Sequence, residues 1–235
     1  MRSDLYTISF TAIVTIILGL VLSVVTDSLR ERQAVNEKLD IKKNILAALG
    51  FKNDSKNKLS NEETESLYNK HIQEFLVDSS GLPRLKTDNY EEKSTDLVLY
   101  KRIDNELTSG YAIPISGKGL WGTMYGYFAI ESDGITVKGI TFYKHKETPG
   151  LGAEVEKPWF QNNFIGKRLT DDLGHLVSIE VVKGFVSSDD PESYKKVDGI
   201  SGATITCKGV TKFLKESLIK YEPYFITVRK DYGSI

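Results

Sequence analysis

From Leu5 to Val25 the chain reads LYTISFTAIVTIILGLVLSVV, 21 residues without a charge, and this run constrains the architecture more than any other feature. As an α-helix it would be about 31 Å long, the thickness of a bilayer's hydrocarbon core. A cleaved signal peptide is one rival, but its apolar stretch should be shorter and end in a small-x-small site, whereas this run ends Ser-Val-Val-Thr-Asp. A buried core helix is the other, and such helices rarely stay apolar on every side for this length. The expectation is a transmembrane anchor over residues 1–26. Only Arg2 and the amino terminus are positive before the run, while Arg30, Arg32, Lys38, Lys42 and Lys43 follow it. Counted simply, that bias keeps the C-terminal part in the cytoplasm, but long domains cross largely regardless of charge, so sidedness stays open.

Residues 27–83 read as a juxtamembrane helical stalk and linker. Leu39, Ile41, Ile45, Leu46 and Leu49 recur mostly at three- and four-residue intervals before Gly50. Phe51–Asn61 is rich in Asn, Lys and Ser and reads as a loop, and a second helix is expected over roughly Glu62–Phe75. From about residue 84 to residue 235 the pattern becomes that of a domain of short strands. Strands are expected at Asp96–Arg102, Gly110–Ile115, Met124–Glu131, Ile135–Tyr143 and Val177–Lys183, with Ser132-Asp133-Gly134 as a hairpin turn. Val210, Phe213, Leu214, Leu218 and Tyr221 then mark an amphipathic helix expected to end at Pro223. A run of strands followed by a segregated helix implies an α+β domain with a largely antiparallel sheet and flanking helices.

Composition removes several functions. Thirty-one Lys plus Arg balance 32 Asp plus Glu, for a net charge of -1, so there is no global field to hold a polyanion and no nucleic-acid partner is expected. The single cysteine, Cys207, cannot form an internal disulfide or a thiolate cluster, and His71, His145 and His175 have no ligand spacing, so no metal site is expected. Gly117-Lys118-Gly119-Leu120-Trp121-Gly122 fits G-x-G-x-x-G, yet a strand rather than a helix follows it. The dinucleotide fingerprint needs that helix for the pyrophosphate, so these glycines read as a turn where a backbone comes close to something flat beside Trp121.

Asp198-Gly-Ile-Ser-Gly-Ala-Thr-Ile-Thr206 stands immediately ahead of the last amphipathic helix. Free backbone N–H groups and the positive end of the helix dipole make such a place ready for a phosphate, while Gly202 and Ala203 keep the approach open. The alternative is an ordinary cap in which Thr204 or Thr206 accepts one backbone N–H.

Asp198–Thr206 resembles the Asp-x-x-Ser/Thr-Gly-Ala-Ser/Thr-x-Thr sequence of proteins that carry covalent FMN, in which a flavin transferase esterifies the last threonine. Residue by residue, the acceptor falls on Thr206. Gly119–Ile130, His145–Glu154, Trp159, Phe164–Lys167, Asn44–Leu46 and the single anchor resemble, in order, the NqrC family of the Na+-translocating NADH:quinone reductase. The G subunit of the Rnf electron-transport complex shares the motif and the anchor, but GLWGTMYG and HKETPGLGAE look more like the quinone-reductase family.

The resemblance implies an electron carrier that is one subunit of an NADH:ubiquinone reductase (Na+-transporting) and no complete catalyst alone. It further implies covalent FMN on Thr206, maturation by a flavin transferase, and partnership with the other subunits of the pump. It also implies a single-pass protein of the bacterial cytoplasmic (inner) membrane with its FMN domain on the periplasmic side. Ser201, Gly202, Ala203 and Thr204 would surround the phosphate, and Leu120, Trp121, Glu147, Thr148, Gly150 and Leu151 would face the ring or ribityl chain. Asp198 would serve recognition by the transferase or brace its loop. The competing reading is an anchored, non-redox binding or assembly module whose Ser/Thr-rich turn only caps a helix.

Overall fold

A computed structural model describes residues 4–51, 59–86 and 95–233, and the chain divides into two units, residues 1–40 and 41–235. The first unit is helix over its described residues. Helix α1, Asp4–Ala48, is long and apolar enough to cross a membrane, and its large side chains from Leu5 to Val25, among them Ile8, Phe10, Ile16 and Leu20, are exposed around the whole circumference. Three threonine hydroxyls bond back to the helix: Thr11 donates to the Thr7 carbonyl at 2.9 Å, Thr15 to Thr11 at 2.8 Å and Thr26 to Leu22 at 2.8 Å. An uncharged run whose large apolar side chains are exposed and whose threonines return hydrogen bonds to its own backbone suits lipid as its surroundings.

The second unit begins within the last turns of α1. The helix stops as expected at Gly50, where the Phe51 N–H reaches the Leu46 carbonyl at 3.0 Å and the Gly50 N–H reaches Ala47 at 3.1 Å, with Gly50 at φ +84°. Those two bonds are a Schellman ending, which needs a left-handed residue at that place. Most of the expected loop, residues 52–58, lies outside the described residues. Helix α2, Asn61–His71, opens on a capping box between Ser60 and Glu63. It ends four residues before the expected Phe75, because Ile72–Val77 pairs instead as strand β1.

The sheet therefore starts inside the stretch read as linker. Strands β1 (Ile72–Val77), β2 (Pro83–Leu85), β3 (Leu97–Asp104), β4 (Leu107–Lys118), β5 (Thr123–Ile130) and β6 (Val137–Lys144) form an antiparallel sheet in the order β2-β1-β3-β4-β5-β6. The expected hairpin joins β5 to β6, held by the Asp133 carboxylate, which accepts the Ile135 and Thr136 N–H groups at 2.8 and 2.9 Å. After the one-turn helix α3 (Pro158–Gln161), a parallel pair of two-residue strands, β7 (Glu180–Val181) and β8 (Lys196–Val197), precedes helix α4, Thr204–Asp231.

Two expectations are corrected here. The strand over Val177–Lys183 shrinks to two residues, since Ser178 takes φ +65° and its N–H, with that of Val177, turns to the Leu169 carbonyl. Helix α4 does not end at Pro223 but continues to Asp231. An internal proline costs about 3 kcal/mol. Tyr224, Phe225 and Val228 beyond it are buried in the core, at about 1.5–3 kcal/mol each, which outweighs that loss.

Strand alternation separates two apolar layers. Tyr111, Ile113 and Ile115 of β4 pack with Phe213, Leu214, Leu218 and Tyr221 of α4, whereas Ala112, Tyr127 and Ala129 cluster with Ile45, Leu46 and Leu49 of α1 and Tyr68 of α2. The sheet is thus covered by helix on both sides, and α4 lies with its N-terminus beside the β4–β5 turn.

Candidate functional site

The first turn of α4, the β4–β5 turn and the loop after β6 meet at one hydroxyl. Thr206 is the third residue of α4, and it is only 1% exposed. It donates from Oγ1 to Glu147 Oε2 at 2.5 Å. Glu147 is also buried, and its Oε1 accepts the backbone N–H of Trp121 at 3.0 Å. Its own N–H donates to His145 Nδ1 at 3.1 Å, and His145 Nε2 stands 2.7 Å from Glu156. One carboxylate therefore ties the helix to the turn.

The G-x-G-x-x-G segment serves this junction rather than a dinucleotide. Strand β4 runs into Lys118 and β5 leaves at Thr123, with the Gly119 N–H closing the turn on the Gly122 carbonyl at 2.8 Å. At Gly117 a Cβ would fall 2.1 Å from Phe213 Cβ, so the glycine lets α4 settle onto the strand.

Around the buried pair the surface is apolar and open. Trp121 is 65% exposed, and Leu120, Leu151 and Ile205 are also exposed. Leu151 reaches Gly202, whose φ is +74° and where a Cβ would lie 2.8 Å from Leu151 Cδ2, so the loop and the motif touch. Thr148 acts through its carbonyl, which accepts the Leu151 and Ala153 N–H groups at 3.1 Å each and folds the loop back on itself. Ala203 holds the N-cap of α4 and makes no side-chain cap, so neither Thr204 nor Thr206 performs the ordinary capping role. A helix start left open in this way retains its affinity for an anion.

Ser201, Gly202, Thr204 and Gly150 line a neighbouring groove of about 980 Å³. Trp159, Phe185, Lys183, Lys208 and Lys212 line it as well, and of these only Trp159 stood out in the sequence. Lys208 and Lys212 follow Thr204 at four-residue steps, a spacing that would have placed them on the same helix face. Asp198 is a brace: its Oδ1 accepts the Val186 N–H at 2.7 Å. Cys207 is buried and its Sγ receives the Ile200 N–H at 3.3 Å, while burial pushes its thiol pKa up and keeps it protonated.

Comparison with known proteins agrees with this geometry. An FMN-binding domain model matches residues 119–219, from the β4–β5 turn to the middle of α4. The NqrC protein of the Na(+)-translocating NADH-quinone reductase from Yersinia pestis is 36% identical over 231 residues, covering 85% of this chain and 84% of the relative. The chain belongs to this NqrC family. The Vibrio anguillarum relative of the same name is 34% identical, covering 89% of this chain and 90% of its own length. The one from Chlamydia muridarum is 48% identical over 122 residues, and there the match spans 38% of the relative. Two crystal structures share the fold: the NqrC of Parabacteroides distasonis, with a TM-score of 0.70, 34% identity and coverage of 84% of this chain and 96% of the other, and that of Shewanella oneidensis, with 0.71, 26%, 83% and 99%. As an NqrC family member the chain has an FMN-binding domain behind an apolar N-terminal helix.

The residues present fit such a cofactor. The helix start has no side-chain cap and exposes Thr204, a glycine removes bulk at Gly202, and exposed apolar side chains at Trp121 and Leu151 offer a surface for a flat ring.

Proposed function

We propose that this chain is the electron-transfer subunit of a sodium-pumping NADH:quinone oxidoreductase and carries FMN as a phosphoester on Thr206. The observation that carries the reading is the position of Thr206: its buried hydroxyl sits in the first turn of α4, which no side chain caps, and is bonded to a carboxylate instead of capping the helix. The hydroxyl is not spent on capping, and the free amides of the helix start beside it are available to a phosphate. Bound FMN supplies the redox chemistry, and the protein sets its position and exposure. The amides of the first turn would offset phosphate charge, while Leu120, Trp121 and Leu151 would flank the isoalloxazine.

Residues 1–26 form the membrane anchor, and the FMN domain stands on the periplasmic side of the bacterial inner membrane. Sites for NADH, quinone and the sodium path belong to partner subunits, since one span with only Thr and Ser for polarity makes no channel. Maturation requires a flavin transferase. Membership of the NqrC family supports this complex over the Rnf complex.

The test is flavin fluorescence in a denaturing gel from cells that also make the transferase. A band that persists in SDS and vanishes in Thr206→Ala is expected; an unlabelled wild-type band would sink the proposal. Protease added outside spheroplasts should digest the domain, and full protection would overturn the orientation.

A further inference from the structure

Strand β6 ends at Lys144, and Glu147 already points into the packed junction between the β4–β5 turn and α4. A side chain makes that bend. His145 Nδ1 accepts the Glu147 N–H at 3.1 Å, the bond from residue i to residue i+2 that Asn or Asp makes in an Asx turn, made here by an imidazole. Glu147 is thereby set inward, where one carboxylate oxygen takes the Trp121 N–H and the other the Thr206 hydroxyl. Lys146 is left outside, exposed, with its stem beside Gly122. The same ring meets the far end of the loop: Nε2 stands 2.7 Å from Glu156 Oε1, and the imidazole is 8% exposed. One side chain thus closes the base of the segment 145–156, which carries Thr148, Gly150 and Leu151.

The two ring nitrogens are not equivalent. Because Nδ1 receives an N–H, the ring's proton is on Nε2. Nε2 is buried, and Glu156 lies out of line for a hydrogen bond with it. The Glu156 carboxylate is 47% exposed, so that contact is a loose one screened by water. The Nδ1 bond instead satisfies the backbone N–H of a residue only 5% exposed, and a buried donor stripped of its acceptor forces the backbone to rearrange. We infer that His145 is a positioning residue for the flavin, acting through Nδ1, a role that rests on the proposed FMN at Thr206 with its ring against Leu120, Trp121 and Leu151. The ring holds Glu147 where its carboxylate fixes the Trp121 turn, and so shapes the surface on which the flavin lies. Without that acceptor the Glu147 N–H turns toward solvent, the carboxylate releases Trp121, and the turn and loop part around the flavin.

The experiment compares wild type with His145→Asn, His145→Gln and Glu156→Gln, each as the full-length chain in detergent from cells that also make the transferase. Asn brings an oxygen to the place of Nδ1 and closes an Asx turn, whereas Gln, one methylene longer, extends toward the place of Nε2. Collisional quenching by iodide, measured per covalent flavin, reads how open the surroundings of the ring are. His145→Asn and Glu156→Gln should stay within about 1.5-fold of the wild-type quenching constant, and His145→Gln should exceed it by about threefold or more. Hydrogen exchange over residues 145–153 of the flavin-free chain makes the same comparison without a cofactor: His145→Gln should exchange at least about fivefold faster than wild type and His145→Asn should match it. A Gln variant that behaves as wild type in both measurements would overturn the inference. Equal changes in Asn and Gln would overturn it as well, assigning the effect to the bulk of the ring. Faster exchange with unchanged quenching would also sink it, because the bend would then shape the chain and not the flavin's surroundings. A wild-type chain with no covalent flavin would instead overturn the Thr206 assignment, with the exchange comparison left standing.

Discussion

Gly117 lies directly beneath Phe213, so close that a Cβ on the glycine would sit 2.1 Å from Phe213 Cβ and 2.5 Å from Cγ. The contact sets how deeply α4 seats on β4, and therefore where Thr206 meets Glu147. Gly117→Ala should lower stability by about 1–3 kcal/mol through overpacking and lift the helix start from the β4–β5 turn. Thermal melts of the full chain, together with the yield of covalent flavin, check this: both should fall, and a normal yield in a destabilised variant would show that the junction tolerates a tilted helix.

A second prediction concerns acid. Arg102 Nε binds Asp104 Oδ2 at 2.7 Å, His71 Nδ1 binds Asp104 Oδ1 at 2.8 Å, and Arg102 also donates to the Leu49 carbonyl at the end of α1 at 2.6 Å. Burial alone would raise the Asp104 pKa, but the hydrogen bond and charge of Arg102, with help from Ser109 and His71, hold it below the usual value. A lowered folded pKa means the carboxylate adds stability above its unfolded value, near 3.9, and that this is lost as pH falls through the folded value. Asp104→Asn should therefore melt lower than wild type at pH 7. The gap should close below about pH 4, read from melting temperature against pH.

How much of this was legible in the sequence depended on whether a signal was local. The apolar N-terminal helix, the Gly50 stop and the Asp133 hairpin follow from residues within a few positions of each other, and they stand as expected. The end of α4 was misread because the proline at 223 is a local signal, whereas the burial of Tyr224, Phe225 and Val228 is a tertiary one. Strand β1 was hidden for the same reason, since Ile72–Val77 becomes a strand only by pairing with β3 some 25 residues later. At the site, the motif marked Thr206 but not its partner's role: the bond to Glu147 spans 59 residues and no spacing rule reaches that far. Lys208 and Lys212 could have been found by helical spacing from Thr204. Phe185 carries no such signal and is known only from the groove.

Arg229 poses a test of a buried charge. It is 1% exposed, paired with Glu222 one helical stretch earlier, and its Nη1 donates to the Gly134 carbonyl of the β5–β6 hairpin at 3.3 Å. Burial pushes the Glu222 pKa up, against the opposing pull of Arg229. Arg229→Ala strands that carboxyl and should cost about 3–5 kcal/mol, whereas Arg229→Met combined with Glu222→Leu should recover most of the loss. Denaturant unfolding of the two variants measures the difference; equal losses would mean that the hairpin contact, not the ion pair, carries the energy.

The final prediction decides on which side of the helix start the ring rests. The chain has two tryptophans, Trp121 on the β4–β5 turn and Trp159 in the groove wall, both substantially exposed. A flavin quenches indole emission when the two rings are close, so flavin attachment should dim the protein's fluorescence. If the ring lies against Leu120, Trp121 and Leu151, the quenching should be largely lost in Trp121→Phe and largely kept in Trp159→Phe. The opposite pattern would put the ring in the groove beside Phe185, Lys208 and Lys212. In that case the lysines, rather than the GLWG turn, would face the flavin and tune its potential, because fixed positive charge near the ring favours its reduced, more negative form.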